Sequence, residues 1–419
     1  MTTVAPSETI RPASPAPVAK PSLRTPSRVD VAGVDPASEA AASEKTAFDD
    51  TVFDDTAFAA ELDAVRQSVI DQLGENDAAY IRSIIRRQRR LEMGARAALM
   101  FPWLPPVWIA GAVGLGVAKI IDNMEIGHNV MHGQWDWMRD DVIHSTKWDW
   151  ETHCPGEQWK RTHNESHHMW TNVVGKDHDI GYNIIRMDPN QPWRPYMLGQ
   201  PVYFVLLGLL FQEGVALHEA SSLMQSDRSE DRKTALTRGV EAFKKMARLA
   251  AKDYLLFPAL ALPFGLATAI GVAVGNGIAN LIRNVWAFAV IFCGHFPEGV
   301  ALFTESDIDG ETQGQWYRRQ VEGSANFTGG RLMDLLSGNL DHQIEHHLFP
   351  DLPSNYYSQI APQVREICAR HGVTYRTGSF LSQFGSVVRK TIRLAFPNKV
   401  SQQPVQADRG REAAFALGA

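Results

Sequence analysis

Cysteine is scarce. The 419 residues hold three, Cys154, Cys293 and Cys368, far apart and without a CxxC pair. That excludes a disulfide framework and a cysteine-built zinc site, and it fits a reducing compartment. A dominant charge sign is also missing. Lys and Arg number 41 against 47 Asp and Glu, and a net charge of −6 gives no argument for a nucleic-acid partner. The N-terminal region has no apolar run of signal-peptide length. Residues 1–45 instead carry seven of the 23 prolines with many Ala, Ser and Thr, which reads as a disordered tail. At 44% apolar and 21% charged, the average composition describes a soluble protein of one large domain or two ordinary ones. Averages hide segregation, and what is present is segregated.

A short repeat places Phe48, Phe53 and Phe58 five apart between acidic pairs, as low complexity or as a docking segment for a basic partner. Leu62, Val65, Val69 and Leu73 follow helical spacing, which predicts an amphipathic helix over 57–73. A second helix is expected from Asp77, carrying Arg82, Arg86, Arg87, Arg89 and Arg90. Such a cluster before an apolar stretch marks a cytoplasmic flank. The implied organisation is a tail at 1–45, a helical lead-in at 46–90, a membrane domain at 91–395 and a polar tail at 396–419.

Long charge-free windows follow. Residues 97–118, 195–212, 254–282 and 284–297 contain no Asp, Glu, Lys or Arg. A helix needs about 20 apolar residues to span a bilayer. Residues 254–297 therefore read as a transmembrane hairpin turning at Gly275-Asn276-Gly277, with Arg283 snorkelling to the interface. Residues 97–118 read as a second hairpin, kinked at Pro102, Pro105 and Pro106. If the histidine clusters after the first and last apolar stretches build one site, an even number of crossings separates them. Then 195–217 lies in the interface or re-enters. The loop 224–252, with eight Lys/Arg against four Asp/Glu, fits the cytoplasm. The fold expected is an all-α integral membrane protein, about four membrane helices in hairpins beneath a cytosolic, histidine-rich helical cap. Both termini are then cytoplasmic.

Thirteen of the 14 histidines lie between 128 and 347. Three clusters stand out: His128-Asn-Val-Met-His132, His163-Asn-Glu-Ser-His167-His168 and His342-Gln343-Ile-Glu345-His346-His347. On an α-helix, i and i+4 share a face and i+5 is turned away by about 100°, so HxxxHH reaches two neighbouring metals. One HxxxHH is expected roughly 0.015 times by chance at this composition, and two occur. So many imidazoles exceed a closed zinc site and suit two first-row ions, iron foremost.

These boxes, with Asn339-Leu-Asp-His-Gln-Ile-Glu-His-His-Leu-Phe-Pro-Asp-Leu-Pro353, resemble those of the membrane fatty acid desaturases. The stretch Gly127–Met138 resembles actinobacterial acyl-CoA desaturases of the stearoyl Δ9 type. The resemblance covers roughly 90–390. It implies a non-haem di-iron centre, O₂ as co-substrate, a long-chain acyl-CoA substrate and insertion of a double bond. It also implies electrons from a separate ferredoxin- or cytochrome-type carrier with an NAD(P)H reductase, since no His-Pro-Gly-Gly haem signature is present. The ligands it implies are His128, His132, His163, His167, His168, His346, His347 and, at the end of the last membrane helix, His295. The family's HxxHH third box has Gln343 here, as in front-end desaturases, so Gln343 and the adjacent His342 are equal candidates. The first box is HxxxH, where animal Δ9 enzymes have HxxxxH. No catalytic residue beyond the metal ligands is assigned.

Weaker expectations surround the boxes. Glu165, Asp177, Asp179 and Glu345 are candidates to orient ligand imidazoles, or are ordinary surface carboxylates. Trp135, Trp137 and Trp170 are candidates for an acyl-chain tunnel, or are interface anchors. Lys147, Lys160 and Arg161 are candidates for a CoA phosphate. His144, His153, His178, His218 and His371 read as structural. Rival readings are a membrane di-iron hydroxylase or epoxidase, an acyl-lipid or front-end desaturase, and a soluble carboxylate bundle suggested by Glu125/His128 and Glu165/His168. A haem protein is the last of them.

Overall fold

The computed structural model describes residues 53–224 and 228–398. The tail expected at 1–45, Phe48 of the repeat, and residues 399–419 lie outside the described residues. Helices dominate. Asp54 caps the first, Asp55–Ile70, by accepting a hydrogen bond from the Ala57 N–H at 2.9 Å. Its stripe Phe58, Leu62, Val65 and Val69 is buried against Ile344, Leu348, Phe349 and Tyr357, so this helix braces the third histidine box. Phe58 thus belongs to a core, and Phe53 sits 5.1 Å beneath the Arg318 guanidinium.

Helix Glu75–Ala98 ends at a turn, and Pro105 and Pro106 open the next helix, where a missing N–H is harmless. That helix runs on through a π-helical stretch to form an apolar span, Pro105–Met131. The second span is Leu266–His295. Among the described residues these two helices are long and apolar enough to cross a membrane. A third candidate is the pair Pro195–Leu209 and Phe211–Met224, bent by 105° at its break. The hairpin turn is not at Gly275–Gly277. It lies at Leu262–Gly265, where Gly265 takes φ +106°. Gly275 instead sits inside the second span. A Cβ there would fall 2.4 Å from Leu99 Cδ2, so the glycine serves close helix packing. Arg283 consequently does not snorkel. It is 3% exposed, and its Nη2 donates to Asn284 Oδ1 at 3.5 Å.

Polar groups tie the apolar helices together. Lys119 Nζ lies 2.5 Å from Asp253 Oδ2, Arg96 Nη2 lies 3.4 Å from Asp253 Oδ1, and Asn276 Nδ2 donates to the Asp253 carbonyl at 2.6 Å. One departure from the all-α expectation is a two-stranded parallel sheet, β1 (Asn326–Thr328) beside β2 (Thr377–Ser379). Three-residue strands are too short to show alternation in the sequence.

Candidate metal centre

Four segments converge at the C-terminal ends of the two spans. His128 closes the π-helical stretch Asp122–His128, and His132 follows one turn later. His163 and His167 lie on a second π-helical stretch, Lys160–His167. His346 and His347 lie on helix Gln343–Leu348, and His295 ends the second span. The π geometry changes the expected register. The His168 N–H donates to the His163 carbonyl at 2.9 Å, five residues back. His163 and His168 therefore come together, with their Nε2 atoms 3.3 Å apart.

The rings sort into two groups. Ligand atoms of His128, His132, His163 and His346 lie within 4.8 Å of one another, and so do those of His167, His295 and His347. The paired histidines of the third box are thus divided between the groups. His168 stands between them, with its ring centroid 4.7 Å from His132 and 4.4 Å from His347. Gln343 adjoins the second group, its Nε2 3.0 Å from His295 Nε2. His342 does not join either. It precedes the box helix with φ −103° and ψ 55°, and its ring turns toward Asp334 and Asp341.

The groups fit metal ions. His132 Nε2 and His346 Nε2, both of the first group, are buried without a hydrogen-bond partner, an arrangement costly in protein alone. Burial first, and neighbouring imidazoles second, hold His132, His168, His346 and His347 well below the usual histidine range, so each offers a neutral lone pair. His167 differs. Burial works against its charge, but Asp177 and Asp179 raise it to about 9.

Outer partners orient the rings. His167 Nδ1 donates to Asp177 Oδ2 at 3.0 Å, and that oxygen also accepts from the Asn172 N–H at 2.8 Å. Asp179 Oδ2 lies 3.7 Å from His163 Nδ1 and 3.8 Å from His167 Nδ1, and its other oxygen lies 2.9 Å from His218 Nε2. His347 Nδ1 lies 3.1 Å from both Thr171 Oγ1 and Gln320 Oε1, and His128 Nδ1 lies 3.0 Å from Asn129 Oδ1. Sequence reasoning missed Thr171, Gln320, Asn129 and His218. Hydroxyls and amides far apart in the chain leave no spacing signal, although Asn129 stands inside the first box.

Other expectations are placed differently. Glu165 is exposed. Glu345 is buried and accepts from Asn326 Nδ2 and Tyr375 Oη, both at 2.8 Å, so it anchors the box helix rather than a ligand ring. Lys147, Lys160 and Arg161 are engaged with Asp141, Glu157 and Glu219. Trp135 is buried with Tyr80, Trp137 is 37% exposed, and Trp170 carries the Lys176 ammonium at 4.4 Å. None of the three lines the cleft that reaches the histidines. Trp150 and Trp159 do, with Tyr182, Phe211, Val215 and Ile291. That cleft, a narrow space of about 70 Å³, touches His128 and His163 of one group and His167 and His295 of the other. Trp159 stacks on His163 with centroids 4.4 Å apart. The arrangement offers two adjacent groups of ring nitrogens, four of whose histidines line one cleft.

Comparison with known proteins gives concordant results. The family model described as fatty acid desaturase matches residues 102–379. The chain is 48% identical over 341 residues to a protein of Mycobacterium tuberculosis named NADPH-dependent stearoyl-CoA 9-desaturase, covering 81% of this chain and 80% of that one. It is 24% identical over 290 residues to an sn-1 linoleoyl-lipid 6-desaturase of Synechocystis, covering 66% and 77%.

Proposed function

The chain belongs to the fatty acid desaturase family, and from that premise we propose that it inserts a double bond, at Δ9, into a long-chain acyl-CoA of the stearoyl type. It is an oxidoreductase of the desaturase type. One observation carries the finer reading: histidines from three separated boxes and His295 form two adjacent groups of ring nitrogens, and four of them line one cleft. His128, His132, His163 and His346 would hold one iron, and His167, His295 and His347, with Gln343 beside them, the other. His168 stands within reach of both. When bound, two iron ions supply the O₂-dependent oxidising power that removes hydrogen from two adjacent methylenes.

The chain's own residues do the rest. Trp150, Trp159, Tyr182 and Phe211 line an apolar path that excludes water and holds the alkyl chain against the histidines. Asp177 and Asp179 fix the rings of His163 and His167, so the ligand atoms are pre-set. The electrons come from a separate carrier. The mycobacterial relative's name specifies NADPH, which supports a reductase upstream of it. The two spans and the bent pair support an integral membrane protein; its placement in the cell membrane, with a cytosolic cap over 91–395, is read from the arginine-rich flank and the basic loop 224–252. Exposed Trp103, Ile109, Leu255, Phe264 and Ile270 suit a lipid-facing belt.

A second reading has its own support. Gln343 in the third box, and the likeness to a linoleoyl-lipid 6-desaturase, favour an acyl-lipid or front-end specificity. Expression in a desaturase-deficient host, with double-bond localisation by mass spectrometry, separates these. A Δ9 product in the acyl-CoA pool supports the first reading, and a Δ6 product in intact lipid supports the second. A gain of sixteen mass units would indicate hydroxylation instead. The variant His167→Ala should abolish the double bond while protein stays in the membrane, and full activity would refute the assignment.

A further inference from the structure

A second cleft lies away from the histidines, between the loop that leaves the second span and helix Phe380–Leu394. It measures about 410 Å³, and Asp188, Asn190, Glu298, Gly299, Lys390 and Arg393 line it. Lys390 is only 7% exposed, yet among the described residues its ammonium has no hydrogen bond and no ion pair. Burial, and then the neighbouring Arg393, hold it down to about 8. Arg393 Nη1 pairs with Glu298 Oε1 at 2.8 Å, which offsets that carboxylate. A third cation stands behind the cleft. Gly299 has φ +88°, and a Cβ there would lie 2.5 Å from Arg376 Nη1, so glycine leaves room for that guanidinium. Lys390 and Arg393 thus line the cleft with Asp188 and Glu298, and the Arg376 guanidinium lies against its Gly299 wall. The Lys390 ammonium opens onto this cleft with no contact partner, and an anion bound there would pair it.

The adjoining surface indicates which anion. On the same helix Leu381, Ile392 and Phe396 just beyond its end are 80%, 47% and 56% exposed, and Arg389 and Arg393 flank them. An outward apolar strip beside basic residues is the pattern of a helix lying at a bilayer surface. Trp193 Nε1 donates to the Ala395 carbonyl at 2.8 Å and puts an interfacial aromatic at that edge. We propose that this cleft binds the phosphate of an anionic membrane phospholipid, with Lys390 as the buried contact, Arg393 at the rim and the acyl chains over Ile392 and Phe396. The site is independent of the metal reading. Its chemistry is that of a phosphate ester, and the adjoining apolar strip favours a lipid over a soluble carrier.

The test uses the full-length protein in dodecyl maltoside and isothermal calorimetry. The probes are dihexanoyl phosphatidylglycerol, phosphate-free dihexanoylglycerol, inorganic phosphate and free coenzyme A. The phosphatidylglycerol should bind saturably and dihexanoylglycerol should not. Lys390→Met and Arg393→Gln should each weaken binding by about tenfold or more, with bound metal unchanged. Unchanged affinity in both variants overturns the site. Binding of coenzyme A or phosphate that Lys390→Met abolishes, without any binding of phosphatidylglycerol, overturns the lipid assignment. If Lys390→Met fails to fold, Arg393→Gln decides, because that side chain is 64% exposed.

Discussion

Replacing Asp177 by Asn removes one charge and almost no volume from the buried wall of the metal centre. Asp177 Oδ2 accepts from His167 Nδ1 at 3.0 Å and from the Asn172 N–H at 2.8 Å. An amide serves the backbone donor with its oxygen, but it then turns an NH₂ toward the imidazole N–H. The ring must tilt or change tautomer, and His167 loses the orientation it shares with His295 and His347. Loss of a carboxylate behind a ligand imidazole costs about 10- to 100-fold in metal affinity, or about 1.4 to 2.7 kcal/mol. Only one group is touched: Asp177 contacts His167, and the group of His128, His132, His163 and His346 keeps its partners. Titration of purified protein with a graded chelator, read by metal analysis, should show one ion leaving Asp177→Asn early and the other at its wild-type chelator concentration. Asp179→Asn should weaken both, since its carboxylate lies near His163 and His167 alike. Equal loss of both ions from Asp177→Asn, or no loss, would refute the division into two groups.

Two further predictions follow from packing. Gly338 has φ +69°, and a Cβ there would lie 2.4 Å from the backbone oxygen of Met124, where no side chain can yield. Gly338→Ala should therefore displace the first box and lower both protein stability and bound metal, by about 1 to 3 kcal/mol in thermal or denaturant unfolding in detergent. Asp253→Ala leaves Lys119 and Arg96 without their shared partner between apolar helices, and should destabilise by about 3 to 5 kcal/mol in the same assay. Stability equal to wild type would show that water or lipid phosphate reaches those cations.

Much of the site was legible because imidazole is rare and its spacing is dense. The boxes and His295 could be picked out in the chain, and Asp177 stood among four carboxylates read either as partners of ligand imidazoles or as ordinary surface groups. The local helix type was not. α-Helical spacing pairs His163 with His167, whereas the π-helical turn joins His163 to His168, and no residue between them announces the change. His342 and Gln343 stood one place apart, and only the entry angle of the box helix decides which meets His295. The Gly275-Asn276-Gly277 triplet looked like a turn. Small residues also let helices approach, and Leu99 fills that space. The cleft tryptophans were misassigned among seven in one region, because composition does not tell which ring faces inward.

The central claim is that the converging histidines hold two iron ions. Its most direct test is metal analysis with Mössbauer spectroscopy on the full-length protein grown on iron-57. About two high-spin, nitrogen-ligated irons per chain are expected, reduced to about one in His347→Ala. A single zinc, a haem spectrum, or an iron content unaffected by His347→Ala would contradict it.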